Sequence, residues 1–209
     1  MTGPPPVRVW VDPSCPWCWQ TTKWLLGLRE GGLLTLSWSL FSLELNASPA
    51  GTPFEAASER YGEALLGLAL ARREGPEVFE RLFVALGERL HERKDPVSPA
   101  LVREAATEAG RPGLIEQALS TEGLADEITR EFHAARDGSV FGVPTLKIGE
   151  DKVIYGPMVA VTPAGDAAID LWDHVRGLSA RPDFFELKRW PRDVRPGGGA
   201  TGSTALTGS

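Results

Sequence analysis

Cys15 and Cys18 are the only cysteines in this 209-residue chain. They stand two residues apart in the stretch Asp12-Pro13-Ser14-Cys15-Pro16-Trp17-Cys18-Trp19. Four chemistries compete for such a pair: a structural bridge, a metal site, inert core packing and a redox dithiol. A bridge fits poorly with a reducing compartment. A structural zinc needs about four ligands. No second cysteine pair exists, and His91, His133 and His174 fall in separate helical patterns without a metal-binding histidine spacing. The proline and tryptophan inserted at a helix start weaken the inert reading. A dithiol fits best. At a helix N-terminus, unpaired N–H groups and the positive end of the dipole favour a thiolate. Cys15 is therefore expected to titrate below the free value of about 8.5 and to act as nucleophile. Cys18, one turn later, is placed to attack a mixed disulfide on Cys15. Pro16 stiffens the first turn, and Trp17 offers an apolar face beside the sulfur for substrate contact.

The surrounding elements must deliver that pair. Residues 7–12 are rich in β-branched and aromatic side chains and read as a short buried strand. The helical pattern runs from Cys15 to about Glu30, with Pro16 suited to the first turn. Alternation over 33–40 predicts a second strand, completing a βαβ start. Helical periodicity then dominates. One long helix is expected over 53–75 and a second over 76–93. A third, N-capped by Ser98, is expected to run to about Ala109. Two short ones follow over 113–119 and 123–136. Residues 46–137 thus read as an all-helical block between β-containing parts. Strand signals return at 143–148, and a turn at 149–151 leads to 152–156, a hairpin. Pro144 at the start of that strand argues for an edge, a bend or a cis bond. Thr162-Pro163 is expected to cap a helix over about 164–178, and 182–190 to form a short terminal helix. From Pro196 onward the Gly/Ser/Thr-rich sequence reads as a disordered tail.

Composition narrows the partners. The hydrophobic fraction is 42% and the formal net charge is −6. That is enough apolar content for one sizeable core. An acidic balance with arginines scattered among acids argues against a nucleic-acid partner. No apolar run reaches membrane-spanning length, so no membrane partner is expected. The first dozen residues lack a signal-peptide pattern, and the expected location is cytoplasmic. The residue pattern sets no oligomeric state.

The C-P-x-C motif after the first strand, the helical insertion after the second, and the Gly-Val-Pro-Thr before a hairpin resemble the thioredoxin superfamily in its DsbA-like branch. The stretch DPSCPWCW, Leu45-Asn46, Gly156-Pro157-Met158 and FFELKR at 184–189 together resemble the mycothiol-dependent nitroreductase family. The resemblance covers about residues 7–189. It implies an α/β, thioredoxin-like fold with an all-helical insertion. The division would be a first half at 1–45, the insertion at 46–137, a second half at 138–195 and a tail at 196–209. It implies a reductase of disulfides or nitroaromatic compounds, with no tightly bound cofactor and mycothiol as a low-molecular-weight co-substrate. Pro144 matches the cis-proline that faces the cysteines, and Val143 before it would offer backbone hydrogen bonds to substrate. Thr145, the residue after Pro144, would also contact the substrate.

Asn46 matches a family asparagine near the thiol pocket, and a turn role is equally open to it. His91 matches a family position in Arg89-Leu90-His91, although a helix-end histidine favoured by the dipole accounts for it as well. Asp12 is a candidate proton shuttle for Cys18 or a simple cap of the Pro13-Ser14 turn. Two rivals stay open. One is a glutathione-dependent isomerase of the 2-hydroxychromene-2-carboxylate type, which typically carries serine at the attacking position. The other is a redox-regulated binding protein.

Overall fold

The computed structural model describes residues 3–150, 153–188 and 196–197. Four strands form one sheet in the order β2-β1-β3-β4. β1 (Pro6–Val11) runs parallel to β2 (Thr35–Leu40), and α1 (Pro16–Glu30) provides the crossover. β3 (Thr145–Ile148) returns antiparallel on the other side of β1, and β4 (Val153–Tyr155) pairs antiparallel with β3. This is the expected α/β architecture, with helices inserted between β2 and β3. The expected strand residue Lys152 lies outside the described residues.

β1 is buried on both faces over its second half. Val7, Val9 and Val11 are buried, and so are Trp10 and the adjoining Asp12. By register the valines share a face with Leu36, Trp38 and Leu40 of β2. Helix α9 (Asp166–Ser179) closes against α1 through Trp24 and Trp172, edge to face at 6.3 Å. The Trp24 indole N–H is satisfied by the Ala168 carbonyl at 3.0 Å, as a buried donor must be.

The inserted helices are α2 (Leu43–Ala47), α3 (Phe54–Ala57), α4 (Gly62–Glu74), α5 (Pro76–Gly87), α6 (Pro99–Glu108), α7 (Leu114–Ser120) and α8 (Leu124–Asp137). Ser98 caps α6 as expected, its hydroxyl accepting from the Leu101 N–H. Trp38 of β2 stacks on Phe79 and Phe83 of α5 at 5.7 and 6.3 Å. Arg72 of α4 forms a two-pronged ion pair with Glu131 of α8. Glu131 also accepts the Leu40 N–H at the end of β2, tying α4 and α8 to the sheet.

Four details differ from the periodic reading. The helix expected over 53–75 breaks between α3 and α4. Ser58 leaves helical geometry at φ −111 and ψ 46. Tyr61 donates its N–H to the Glu44 carboxylate of α2, so a side chain from another element takes a bond of the helical ladder. The helix expected over 76–93 stops being α-helical at Gly87. The next six residues, Glu88–Arg93, form a wider π-helical turn that ends at Lys94 in the left-handed region. A Cβ on Gly87 would lie 2.3 Å from the Trp19 ring. Only glycine lets α1 approach α5 so closely, at the point where the helix widens.

The last helix starts at Asp166 rather than 164. Gly165, at φ 56 and ψ −139, supplies its entry. The Thr162 hydroxyl instead donates to Gln20 Oε1 of α1. Residues 182–188 form a turn and an irregular segment rather than the expected helix. Phe185 and Leu187 are 91% and 81% exposed, so no apolar face is buried to stabilise a helix there. Arg189 and Trp190 lie outside the described residues. Most of the expected tail does too, apart from Pro196-Gly197, whose Gly197 N–H reaches the Ala160 carbonyl.

Candidate active site

The end of β1 feeds straight into the cysteine turn. Cys15 is the N-cap of α1 at φ −89 and ψ 109, with Pro16 in the first turn. Its Sγ accepts the Cys18 N–H at 3.3 Å. Its own N–H is held by the Asp12 carbonyl. Both cysteines are free thiols. Cys15 is 5% exposed and Cys18 is fully buried.

The two sulfurs titrate in opposite directions. The Cys18 thiol bonding to Cys15 is the largest influence holding Cys15 below the ordinary thiol range. The Cys18 and Trp17 backbone N–H groups add to it, against burial and the charge of Asp12. Burial pushes Cys18 well up, and its bond to Cys15 adds to that. Of the two, Cys15 is thereby the thiol more readily ionised and Cys18 the one that holds its proton more tightly. A lowered pKa at a helix start is the usual mark of a nucleophilic cysteine.

The opposite wall comes from residues far along the chain. The Val143–Pro144 peptide is cis. As a thiol, Cys15 donates to the Val143 carbonyl at 3.7 Å. Pro144 is buried, and its carbonyl accepts the Gly156 N–H at 2.8 Å. Thr145 is buried, pairs with Trp10 in the sheet, and bonds the Gly142 carbonyl through its hydroxyl. Its hydroxyl thus braces the wall from behind. Pro16 and Trp17 are half-buried at the mouth, and Trp17 packs partly on the core.

The other singled-out residues lie as follows. Asn46 is exposed on α2, and its Oδ1 accepts from Arg136 of α8. Asp12 caps the turn, accepting the Ser14 N–H at 2.6 Å. Its second oxygen accepts the Leu43 N–H at the start of α2, also at 2.6 Å. His91 does not end an α-helix. It sits in the π-helical turn, and its Nε2 lies 2.9 Å from the Pro13 carbonyl. A carbonyl only accepts, so Nε2 carries the proton and donates. Burial pushes the ring's pKa down, which keeps it neutral.

Three further side chains, Trp19, Lys23 and Glu92, complete the contact. The Trp19 indole N–H donates to Glu92 at 3.1 Å, and Lys23 bonds the same carboxylate at 2.7 Å. The residues after Gly87 thus grip both the cysteine turn and the first turns of α1. Trp19 and Glu92 are 73 residues apart, and Pro13 and His91 are 78 apart, so no local spacing points to either pair.

A ring held neutral in the fold binds fewer protons than the unfolded chain's ring. Its contribution is present above the unfolded value of 6.5 and is lost as pH falls below it. Stability from pH 7 to 5.5 is therefore expected to fall less steeply in His91→Gln than in the native protein, as measured by urea unfolding at each pH. Equal slopes would show that His91 does not carry that dependence.

Comparison with known proteins agrees with the geometry. The model of the Rv2466c-like family, described as mycothiol-dependent nitroreductase Rv2466c, matches residues 14–189. The chain belongs to that family. The Mycobacterium tuberculosis protein Rv2286c is 32% identical over 190 residues, covering 88% of this chain and 82% of that one. Among solved structures, the cytosolic disulfide reductase DsbM from Pseudomonas aeruginosa, determined with GSH, superposes with a TM-score of 0.56 at 14% identity. The match covers 82% of this chain and 99% of that one. A thioredoxin-like oxidoreductase from Silicibacter pomeroyi DSS-3 gives a TM-score of 0.54 at 18% identity, over 84% and 88% of the two chains. The fold is thus DsbA-like within the thioredoxin class, and the chain is an oxidoreductase of this family. Among the described residues, no three His, Cys, Asp or Glu side chains converge to hold a metal, and no helix is long and apolar enough to cross a membrane.

Proposed function

We propose that this protein is a cytoplasmic thiol–disulfide oxidoreductase that works through Cys15. Mycothiol would be its small-thiol co-substrate, and disulfides or nitroaromatic compounds its oxidants. The observation that carries the reading is the environment of the Cys15 sulfur. It accepts the Cys18 N–H at a helix N-terminus and faces the Val143 carbonyl across the wall formed by Pro144.

In this reading the Cys15 thiolate attacks one sulfur of a disulfide, and the other sulfur leaves as a thiolate that takes up a proton. Cys18 then gives up its proton and attacks Cys15 Sγ, releasing the second thiol. The protein is left with a Cys15–Cys18 disulfide. Two electrons have passed to the substrate. Two molecules of mycothiol restore the dithiol by the same exchange run in reverse, leaving mycothiol disulfide. Val143 would hold an extended substrate by its backbone. Pro144 would set the wall, Thr145 would brace it, and Pro16, Trp17 and Asn46 would shape the mouth. Residues 1–45 and 138–195 would form the thioredoxin-like body, with 46–137 as the insertion over it.

Mass spectrometry of a Cys18→Ser protein tests this. Incubated with oxidised mycothiol, it is expected to retain one mycothiol on Cys15, because the resolving thiol is gone. Incubated with oxidised glutathione, it is expected to label more slowly. Equal or faster glutathione labelling would reject mycothiol as the partner. No adduct with either would reject the thiol exchange.

A further inference from the structure

Phe141 and Tyr155 are large aromatic side chains that the exchange chemistry above does not use, and they are left 59% and 42% exposed. Their rings lie tilted together with centroids 4.8 Å apart, within the usual range for an aromatic pair. Both are fixed to the wall that faces Cys15. Phe141 stands two residues before Val143, whose carbonyl lies 3.7 Å from Cys15 Sγ. Tyr155 pairs with Thr145 in the sheet, and the next residue, Gly156, donates its N–H to the Pro144 carbonyl. Gly142 lets the Tyr155 ring lie against the backbone between Phe141 and Val143, since a Cβ there would stand 3.1 Å from that ring. The Gly142 carbonyl is in turn held by the Thr145 hydroxyl at 2.7 Å. The two rings therefore form a ledge anchored on both segments that build the cis-proline wall.

We infer that this ledge determines specificity by receiving a neutral aromatic group carried on the disulfide under attack. The inference rests on Cys15 being the nucleophile that the proposed function requires. Two residues of extended chain span at most about 7 Å, so a ring joined directly to the attacked sulfur can reach from the Val143 backbone to the Phe141 ring. Rings that meet there cover apolar area and gain the geometry-specific attraction of aromatic pairs. The two segments around the ledge, 141–144 and 155–158, carry no charged side chain, in a chain that is 24% charged. A charged group laid there would lose water without an ion pair from either segment. A neutral ring loses little and stacks. The ledge thus favours neutral aromatic disulfides over aliphatic ones.

The test follows one balanced exchange on the pre-reduced protein: protein dithiol plus a small disulfide gives protein disulfide plus two small thiols. The substrate S–S bond breaks and the Cys15–Cys18 bond forms. Two electrons and two protons pass to the substrate. The probes are dithiodipyridine, neutral and aromatic at pH 7, and hydroxyethyl disulfide, neutral and aliphatic. The second-order rate constant with each is measured by stopped flow on the native protein and on Phe141→Ser. The ratio of the two constants is then compared between proteins, so that the different leaving groups cancel. The ratio, aromatic over aliphatic, is expected to fall about tenfold in Phe141→Ser and to stay within about twofold of native in Phe141→Tyr, which keeps the ring. An unchanged ratio in Phe141→Ser, including an equal loss of rate with both disulfides, overturns the inference. An equal fall in Phe141→Tyr overturns it too.

Should Phe141→Ser not fold, Phe141→Leu decides. It removes the ring and keeps an apolar side chain. A fall of about threefold in the same ratio supports the inference, since the aromatic contact is worth more than its area alone, and an unchanged ratio overturns it. If the native protein reduces neither disulfide, or if Cys15→Ser reduces both at the native rate, the redox reading itself fails, and that outcome is distinct from a failure at the ledge.

Discussion

Replacing Cys15 with serine is expected to lower turnover of a disulfide substrate by about a thousandfold or more, while thermal stability changes little. Serine keeps the N-cap, since its hydroxyl can accept the Cys18 N–H in place of the sulfur. The geometry of the turn is therefore retained. The chemistry is not, because a hydroxyl has no accessible anion at neutral pH and does not exchange with disulfides. Steady-state kinetics and thermal unfolding of the same preparation check both halves. A variant that kept native turnover would remove Cys15 from the mechanism. One that lost stability along with turnover would leave the loss attributable to folding.

The largest effect on stability is expected at Trp19→Ala, at about 3–5 kcal/mol by the usual cost of emptying a buried aromatic site. The indole is 2% exposed and lies against Gly87, at the junction of α5 and the π-helical turn. Its N–H holds Glu92, whose carboxylate also holds Lys23. Deleting the ring leaves a cavity and frees the carboxylate from one of its two donors. It also loosens the segment whose His91 reaches the cysteine turn. Denaturant unfolding should show the loss, and Trp19→Phe should recover most of the packing but not the bond to Glu92. A cost below about 1 kcal/mol, far under that of an emptied aromatic site, would mean that α1 and the π-helical turn are not held together by this contact.

What the sequence discloses differs between the two walls of the site. The cysteine wall is local. Strand, turn, proline and cysteines follow one another within a dozen residues, and the helix-start placement of Cys15 follows from that order. The opposite wall is not local. Val143 faces Cys15 only because β3 pairs with β1. The residues alone leave Pro144 as an edge, a bend or a cis bond, and the family resemblance assigns it to the site.

The breaks in the helices expected over 53–75 and 76–93 share one physical cause. Apolar periodicity reports which face of a segment is buried but not which backbone groups an outside side chain will claim. Glu44 takes the Tyr61 N–H between α3 and α4, and the Trp19 ring sits where Gly87 has no side chain. Both events depend on tertiary neighbours. His91 is visible as a residue, but its partner, a carbonyl of Pro13, carries no sequence signal at all. Asp12 is legible as a turn cap from its place before Pro13-Ser14. Its second bond, to Leu43, requires the fold.

The claim on which the rest depends is that Cys15, and not Cys18, is the nucleophile at neutral to mildly acidic pH. Brief alkylation of the reduced native protein with iodoacetamide at pH 6, followed by peptide mapping, measures it directly. The account predicts modification at Cys15 much faster than at a free thiol, with Cys18 untouched while the protein stays folded. Labelling of Cys18 first, or labelling of Cys15 no faster than an ordinary thiol, would contradict it.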